Sequence, residues 1–223
     1  MEKKGLRSKV FLVEDHPIVR RGVANLINAE SDLTVHGESA DVNDALRRIP
    51  VEKPDVAVVD LSMGTGLLGL QLIKDLRKSG VEIPILVLSM HDESVYADRV
   101  LKAGGQGYVM KAEDTSQIIA AIRKLLLGNV YFSEKVVARL LSQRGSAPAN
   151  GETREANDLG LSDRELEVLQ YLGSGKNTRE IAAQLNLSIK TIDSHREHLK
   201  EKLGLKHSSE LLQYAFRWVQ SQS

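Results

Sequence analysis

Short apolar runs alternate with amphipathic helical patterns through the first 128 residues of the 223-residue chain, and this alternation constrains the fold more than any other feature. The apolar runs are rich in β-branched residues and almost continuous, which is typical of strands covered on both faces. The predicted strands are 9–13, 33–37, 56–61, 84–88 and 107–110, and the predicted helices are 17–28, 42–49, 67–78, 94–103 and 115–127. Five strands that alternate with five helices predict a doubly wound α/β fold around a five-stranded parallel sheet.

Polar side chains stand at the ends of four of these strands. They are Glu14 and Asp15 at the first, Asp60 at the third, Ser89 at the fourth and Lys111 after the fifth. Because the carboxyl ends of parallel strands share one edge of a sheet, we expect these side chains to converge there. Clustered carboxylates without Cys or His favour Mg²⁺, and one carboxylate can then act as a nucleophile that forms an acyl phosphate. With a lysine and a hydroxyl to hold phosphoryl oxygens, the set is suited to phosphoryl transfer.

Residues 9–128 resemble the receiver domain of two-component response regulators, through the stretches VFLVEDHPIVRRG, VAVVDLSM, ILVLSM and GYVMK. The resemblance implies a flavodoxin-like domain that takes a phosphoryl group on Asp60 from a sensor histidine kinase. It also implies Mg²⁺ as the cofactor. Its ligands would be Glu14, Asp15, Asp60 and the backbone carbonyl of Ser62.

Three further positions match the receiver motif, and two depart from it. Ser89 matches the switch hydroxyl, Lys111 the lysine of the motif and Tyr108 the aromatic switch position. Gly64 stands where the family commonly has proline, and since glycine frees the backbone, the sequence predicts a more mobile loop after the acceptor. Ala112 follows Lys111, where many receivers have a cis proline. A non-proline cis bond costs about 3–4 kcal/mol, and the sequence leaves the isomer of this bond open.

The remainder of the chain has only helical patterns and one polar stretch. A helical segment over 130–143 is followed by 144–158, whose Gly, Ala, Pro and polar residues are typical of a flexible linker. Further helices are predicted over 163–172, 178–185 and 189–203, with a fourth that begins at Ser208 or Ser209. We therefore predict a receiver domain over 1–128, a linker helix and flexible linker over 129–159, and a helical domain over 160–223.

The helix, turn and helix over 178–203 have the spacing of a helix-turn-helix, whose second helix enters the major groove of DNA. Residues 160–206 resemble the LuxR-type DNA-binding domain, from LSDRELEVL through KTIDSH to KLGL. Together with the receiver, this resemblance points to the NarL/FixJ family. It implies double-stranded DNA as a partner, a homodimer in the phosphorylated state, and control of transcription.

The predicted recognition helix packs Ile189, Ile192, Leu199 and Leu203 inward and turns polar residues outward. Predicted phosphate contacts, which position the protein without reading sequence, are Thr178, Lys190, Thr191, Arg196 and Lys200. The residues predicted to face base edges are Asp193, Ser194 and Glu197. A carboxylate there can accept a hydrogen bond from cytosine N4, although a solvated surface acid explains it equally well. We expect His195 to pack or to contact the DNA backbone.

Composition narrows the class of protein further. The absence of cysteine excludes disulfides and thiolate metal sites. The formal net charge is zero, but 176–206 holds seven basic against four acidic residues, which is a mild footprint for DNA phosphates. The apolar run after the basic start of the chain is too short for a signal peptide, and no window approaches a membrane span. These observations predict a cytoplasmic protein without membrane contact.

Two alternatives stay open on the sequence. The first domain could be a Mg²⁺-dependent hydrolase that passes through an aspartyl phosphate, but such phosphatases usually have a second acid two residues after the nucleophile, where this chain has Ser62. The chain could also bind DNA constitutively, with the receiver as an unphosphorylated scaffold. We expect no enzyme activity beyond phosphoryl transfer to the receiver itself and its removal.

Overall fold

The structure, a computed structural model, describes residues 7–64, 66–143 and 160–220. These residues form two compact units, the first mainly from 7–143 and the second mainly from 160–220. The flexible linker predicted over 144–158 lies outside the described residues. Within the described ranges, no helix is both long enough and apolar enough to cross a bilayer.

The first unit is built on a five-stranded parallel sheet in the order β2-β1-β3-β4-β5. Its strands are β1 (Ser8–Val13), β2 (Leu33–Ser39), β3 (Val56–Asp60), β4 (Ile85–Ser89) and β5 (Gly107–Met110). Its helices are α1 (Pro17–Asn28), α2 (Val42–Glu52), α3 (Leu68–Lys78), α4 (Glu93–Ala103), α5 (Ser116–Leu126) and α6 (Glu134–Gln143). The predicted doubly wound fold is therefore confirmed.

The apolar strands are explained by their burial on both faces. Every residue of β3 and β4 is buried. One face of the sheet packs against α1 and α5 in a single core, in which Val58, Leu86 and Ile122 are fully buried. Because the strands are parallel and in register, Asp60 pairs with Leu88 and Ser89 pairs with Met110, so their carboxyl ends are level at one edge.

Two helices of this unit depart from their predicted bounds by more than one residue: the helix predicted over 130–143 begins only at Glu134, and α2 ends later than predicted. The prediction ended α2 at Ile49, but the helix continues through Pro50 to Glu52. Proline lacks the N–H that would donate to the carbonyl four residues earlier, so the helix passes through Pro50 with one hydrogen bond fewer. Lys53 closes the helix in the left-handed conformation, with φ of 46°, and its N–H donates to the carbonyl of Ile49 at 3.0 Å.

The described part of the second unit contains four helices, and a side chain caps the N-terminus of each of the first three. They are α7 (Asp163–Gly173), α8 (Thr178–Leu185), α9 (Ile189–Leu203) and α10 (Ser208–Gln220). The capping box expected from Ser162 and Glu165 is present at α7. Ser188 caps α9, and Gly204 ends that helix with φ of 67°, which glycine adopts without strain.

The prediction that Ile189 packs inward is wrong. Ile192 and Leu199 are fully buried, but Ile189 is 47% exposed. Ile189 is the first residue of α9, so no preceding turn of that helix covers it. The buried face of α9 therefore begins at Ile192.

Gly69 brings α3 against the backbone of the strand that ends in Asp60. A Cβ at this position would lie 2.0 Å from the carbonyl oxygen of Asp60 and 2.9 Å from the Cα of Leu61. The backbone N–H of Gly69 also donates to the carbonyl of Leu61 at 3.1 Å. The helix and the residues around the acceptor are thus held at a distance that only glycine allows.

We predict that Gly69→Ala destabilises the first unit by about 2–4 kcal/mol, because the added methyl group meets backbone atoms that cannot rotate away. Gly22→Ala in α1 is the matched control, since nothing lies within 4 Å of its added Cβ. That control should stabilise the protein by up to about 1 kcal/mol through helix propensity. Urea unfolding of both variants measures the difference, and equal free energies of unfolding would contradict the close packing.

Candidate functional site

The carboxyl edge of the sheet gathers an acidic cluster. Glu14 and Asp60 are buried, at 1% and 3% exposure, and Asp15 is partly buried beside them. Ligand atoms of Glu14, Asp15, His16 and Asp60 all lie within 4.8 Å of one another. The three carboxylates that the sequence placed at strand ends therefore converge, as the parallel topology required.

Lys111 neutralises part of this charge. Its Nζ lies 2.7 Å from Oε2 of Glu14 and 3.0 Å from Oδ2 of Asp60. The backbone N–H of Lys111 donates to the carbonyl of Ser89 at 2.7 Å, which fixes where the side chain begins. Since a buried carboxylate is costly without a partner, this one ammonium group makes the paired burial of Glu14 and Asp60 tolerable.

The acceptor carboxylate is nevertheless held in an unfavourable place for a charge. Burial, together with the nearby Glu14 carboxylate, raises the pKa of Asp60 to about 6 against the opposing effect of Lys111. The backbone N–H of Ser62 donates weakly to Oδ1 of Asp60 at 3.3 Å. Asp60 is thus a carboxylate whose charged form would be stabilised by any additional cation.

Only one oxygen of Asp15 accepts a hydrogen bond from the described residues. Its Oδ2 accepts a hydrogen bond of 2.7 Å from the backbone N–H of Gly64. Its Oδ1 is buried yet accepts no hydrogen bond from the described residues, although His16 Nδ1 lies 2.8 Å away. A buried carboxylate oxygen without a donor, next to two further carboxylates, fits a hard divalent cation.

Gly64, which stands where the family commonly has proline, has a defined role in this arrangement. Its φ of 58° is closed to proline, and proline has no N–H to donate to Asp15. The replacement therefore adds a hydrogen bond between the acceptor loop and the acidic cluster. Greater mobility of this loop stays a prediction. The bond between Lys111 and Ala112, whose isomer the sequence left open, is trans.

His91 links the acceptor loop to the predicted switch residues, and sequence reasoning missed it. Its Nε2 lies 2.8 Å from Ser62 Oγ, and its backbone N–H donates to Ser89 Oγ at 3.0 Å. Its carbonyl accepts a 2.9 Å hydrogen bond from the hydroxyl of Tyr108, which is buried at 2% exposure. Burial lowers the pKa of His91, with help from Lys111, so the ring is held neutral. Its place two residues after Ser89 was the only signal in the sequence.

In the second unit, α8 and α9 form the predicted helix-turn-helix, and α9 exposes part of its polar face. Lys190, Asp193, Ser194 and Glu197 are exposed. The hydroxyl of Ser194 donates to the carbonyl of Lys190 at 3.0 Å, which leaves its oxygen as an acceptor. These four residues are therefore the part of the predicted DNA-binding set that faces solvent.

The other predicted contacts have partners within the unit. Arg196 donates to Thr178 and lies 3.7 Å from Asp193, while Lys200 pairs with Glu197 at 2.8 Å. Thr191 belongs to the cap of α9, because its N–H donates to Ser188 Oγ at 3.0 Å.

His195 is half-buried, and burial lowers its pKa. Its Nδ1 is buried without a hydrogen-bond partner among the described residues. His195 therefore turns its Nδ1 away from solvent.

Comparison with known families decides what this arrangement is. Residues 10–123 match the family described as the response regulator receiver domain, and residues 159–215 match the bacterial regulatory proteins of the LuxR family. The chain belongs to the NarL/FixJ family of response regulators. It is a two-component response regulator with a receiver and a LuxR-type DNA-binding domain, as the sequence predicted.

Relatives of this response regulator match it over nearly its whole length. The oxygen regulatory protein NreC of Staphylococcus aureus is 36% identical over 94% of this chain and 97% of its own. The structure of RcsB from Salmonella typhimurium is 28% identical, with a TM-score of 0.66, over 96% of this chain and 98% of that one. A structure of RcsB from Salmonella enterica serovar Typhimurium, bound to the promoter rprA with the phosphomimetic BeF₃⁻, is 29% identical with a TM-score of 0.61 and covers 94% and 98%.

We predict that Asp60→Asn stabilises the metal-free response regulator at pH 7.5 by about 1–2 kcal/mol, because a neutral amide escapes the cost of burying a charge. Since burial raises the pKa of Asp60, its contribution to stability is full below its ordinary pKa of 3.8 and is lost as pH rises through about 6. The advantage of the variant should therefore shrink as pH falls from 7.5 toward 4.

Urea unfolding with and without Mg²⁺ checks this prediction. A cation that binds only the folded site should stabilise the wild type and narrow its gap to Asp60→Asn. A gap that is independent of both pH and Mg²⁺ would show that the buried charge of Asp60 is not its cause.

Proposed function

We propose that this response regulator receives a phosphoryl group on Asp60 from a sensor histidine kinase and then binds double-stranded DNA as a homodimer in the cytoplasm. The observation that carries the proposal is the position of Lys111 Nζ between Glu14 and Asp60, in a cluster where Oδ1 of Asp15 accepts no hydrogen bond from the described residues. This arrangement supplies a nucleophile, a cation for phosphoryl oxygens and a place for a metal ion within one buried cluster.

In the proposed reaction, a carboxylate oxygen of Asp60 attacks phosphorus. The new O–P bond forms as the P–N bond of a phosphohistidine, or the P–O bond of a small phosphodonor, breaks. Lys111 would exchange its contact with the Asp60 carboxylate for one with a phosphoryl oxygen, since the phosphoryl group would be attached to that carboxylate. The hydroxyl of Ser89, now an acceptor from His91, can donate to another phosphoryl oxygen. The receiver's catalysis is limited to this transfer and to loss of the group.

The proposed cofactor is Mg²⁺, which would offset carboxylate repulsion and the charge of the phosphoryl group. Its protein ligands would be carboxylate oxygens of Glu14, Asp15 and Asp60 with the carbonyl of Ser62. Oxygen donors alone suit this ion. Tyr108, hydrogen-bonded to His91, would respond to the movement of Ser89.

In the proposed DNA complex, α9 enters the major groove. Lys190 is exposed for phosphate contact, and Asp193, Ser194 and Glu197 are exposed toward base edges. Thr178, Thr191, Arg196 and Lys200 would reach phosphates only after exchanging their present partners, and His195 would act by packing. In support, the relative RcsB was solved bound to a promoter in the presence of a phosphomimetic.

The proposed domain boundaries are a receiver over 1–128, a linker over 129–159 and a DNA-binding domain over 160–223. The matched stretches 10–123 and 159–215 are compatible with these limits. A homodimer would place two copies of α9 on half-sites about one turn of DNA apart.

We expect incubation with Mg²⁺ and a small phosphodonor to add one phosphoryl group to the wild type and none to Asp60→Asn, as measured by intact mass. Lys111→Ala should reduce the yield, because the phosphoryl oxygens lose their cation. Lys78→Ala removes a lysine that is 73% exposed in α3 and serves as the control. A folded wild-type protein that takes up no phosphoryl group would overturn the proposal.

For DNA binding, we predict that Lys190→Ala weakens affinity for all sequences and reduces the slope of log affinity against log salt by about 1. Glu197→Ala should instead change the preferred base at one position, because a carboxylate accepts only from donors such as cytosine N4. Selection from a random duplex library, followed by salt titration of the selected duplex, measures both effects. Lys78→Ala is again the control, and an unchanged slope for Lys190→Ala would remove this lysine from the contact set.

A further inference from the structure

The segment after α5 lies against the open edge of the sheet. Tyr131 forms a bridge with Gly107 in the parallel sense, so that it extends the sheet past β5. Its backbone N–H donates to the carbonyl of Gln106 at 2.9 Å, and its carbonyl accepts from the N–H of Tyr108 at 2.8 Å. An edge strand leaves such groups unpaired, and here the chain's own continuation satisfies them.

Two further contacts hold the same segment. The Tyr131 ring lies over the ammonium of Lys124, with 5.3 Å between Nζ and the ring centroid, and its hydroxyl donates to Gln117 on α5. The N–H of Ser133 donates to a carboxylate oxygen of Glu93, the first residue of α4, at 2.9 Å. The helix that follows, α6, packs on α4 with Val136 buried at 2% exposure.

Two of these attachment points belong to the region that a phosphoryl group on Asp60 would disturb. Tyr108 donates its amide to Tyr131, and donates its hydroxyl to the carbonyl of His91. Glu93 lies two residues after His91, whose own N–H is held by Ser89 Oγ. If Ser89 turns toward a phosphoryl oxygen, the loop 89–93 loses its hydrogen bond to Ser89 Oγ and changes its conformation. The bridge of Tyr131 to β5 and the hydrogen bond of Ser133 to Glu93 both depend on the position of that loop.

We propose that residues 130–133 are a detachable sixth strand that carries the phosphorylation state of the receiver into α6. In the unphosphorylated receiver the strand is bound to β5 and α4. Phosphorylation shifts the loop 89–93 and weakens the contacts at Tyr108 and Glu93, so that α6, which leads into 144–159, is released. The proposal rests on phosphorylation of Asp60 and adds to it the segment that transmits the signal.

Exchange of backbone amides tests the strand directly in the full chain. Without a phosphate analogue, the amides of Tyr108 and Tyr131 should exchange slowly because both are bonded across the bridge. With Mg²⁺ and beryllofluoride, both should exchange at least about tenfold faster, while amides of Val10–Val13 in the sheet centre stay unchanged. Unchanged protection of Tyr108 and Tyr131 in protein shown to carry beryllofluoride would overturn the detachable strand alone. Failure to bind beryllofluoride or take up a phosphoryl group would remove the proposed function and this proposal together.

Two variants separate the strand from a general effect on folding. Tyr131→Pro lacks the N–H that donates to Gln106, and Glu93→Ala lacks the acceptor for Ser133. Each unphosphorylated variant should bind DNA at least about threefold more tightly than the unphosphorylated wild type, and thus closer to the affinity of the phosphorylated wild type. The reason is that each variant weakens the same contacts that phosphorylation is proposed to weaken. Val51→Ala, at a 79% exposed position of α2, is the control and should change neither exchange nor affinity. If Glu93→Ala folds, speeds exchange at Tyr131 and leaves DNA affinity at the wild-type level, the strand does not transmit the signal.

Discussion

The ion pair of Lys111 with Glu14 and Asp60 is the contact on which the first unit's chemistry depends. One ammonium, 13% exposed, serves two carboxylates that are almost completely buried. The cluster therefore carries more negative than positive charge, and burial, together with the neighbouring Glu14 carboxylate, raises the pKa of Asp60. An added cation would offset the cost of burying these carboxylates, and together with Lys111 it would offset the charge of an incoming phosphoryl group. The buried charge of this cluster therefore affects both the stability of the first unit and its proposed reaction.

The fold and most of this cluster could be predicted from the sequence, because both depend on the alternation of apolar runs with helical patterns along the chain. Continuous β-branched runs predict strands covered on both faces, and parallel strands bring their carboxyl ends to one edge. Glu14, Asp60 and Lys111 could therefore be placed near one another before any coordinates were known. The capping box at Ser162 was equally accessible, since a cap depends on residues only three apart.

Contacts between loops could not be predicted, because no regular spacing of residues in the sequence marks them. His91 contacts Ser62 from another loop, and nothing in the spacing of the two residues marks that pair. Gly64 was recognised as a departure from the family pattern, but the donation of its N–H to Asp15 depends on the path of the loop. In the second unit, the helical period correctly placed Ile192 inside and wrongly placed Ile189 there, because a helix end lacks the covering turn that the period assumes.

The recognition helix shows a further consequence of internal pairing. Lys200 forms an ion pair with Glu197. Arg196 donates a hydrogen bond to Thr178 and lies near the carboxylate of Asp193. Affinity for DNA without sequence preference grows with the number of phosphates that free cations neutralise. A helix whose cations are partly committed to its own acids should bind random DNA weakly as a single copy. The proposed homodimer would double the contacts on one duplex, so the receiver could control DNA binding by controlling assembly without altering α9 itself.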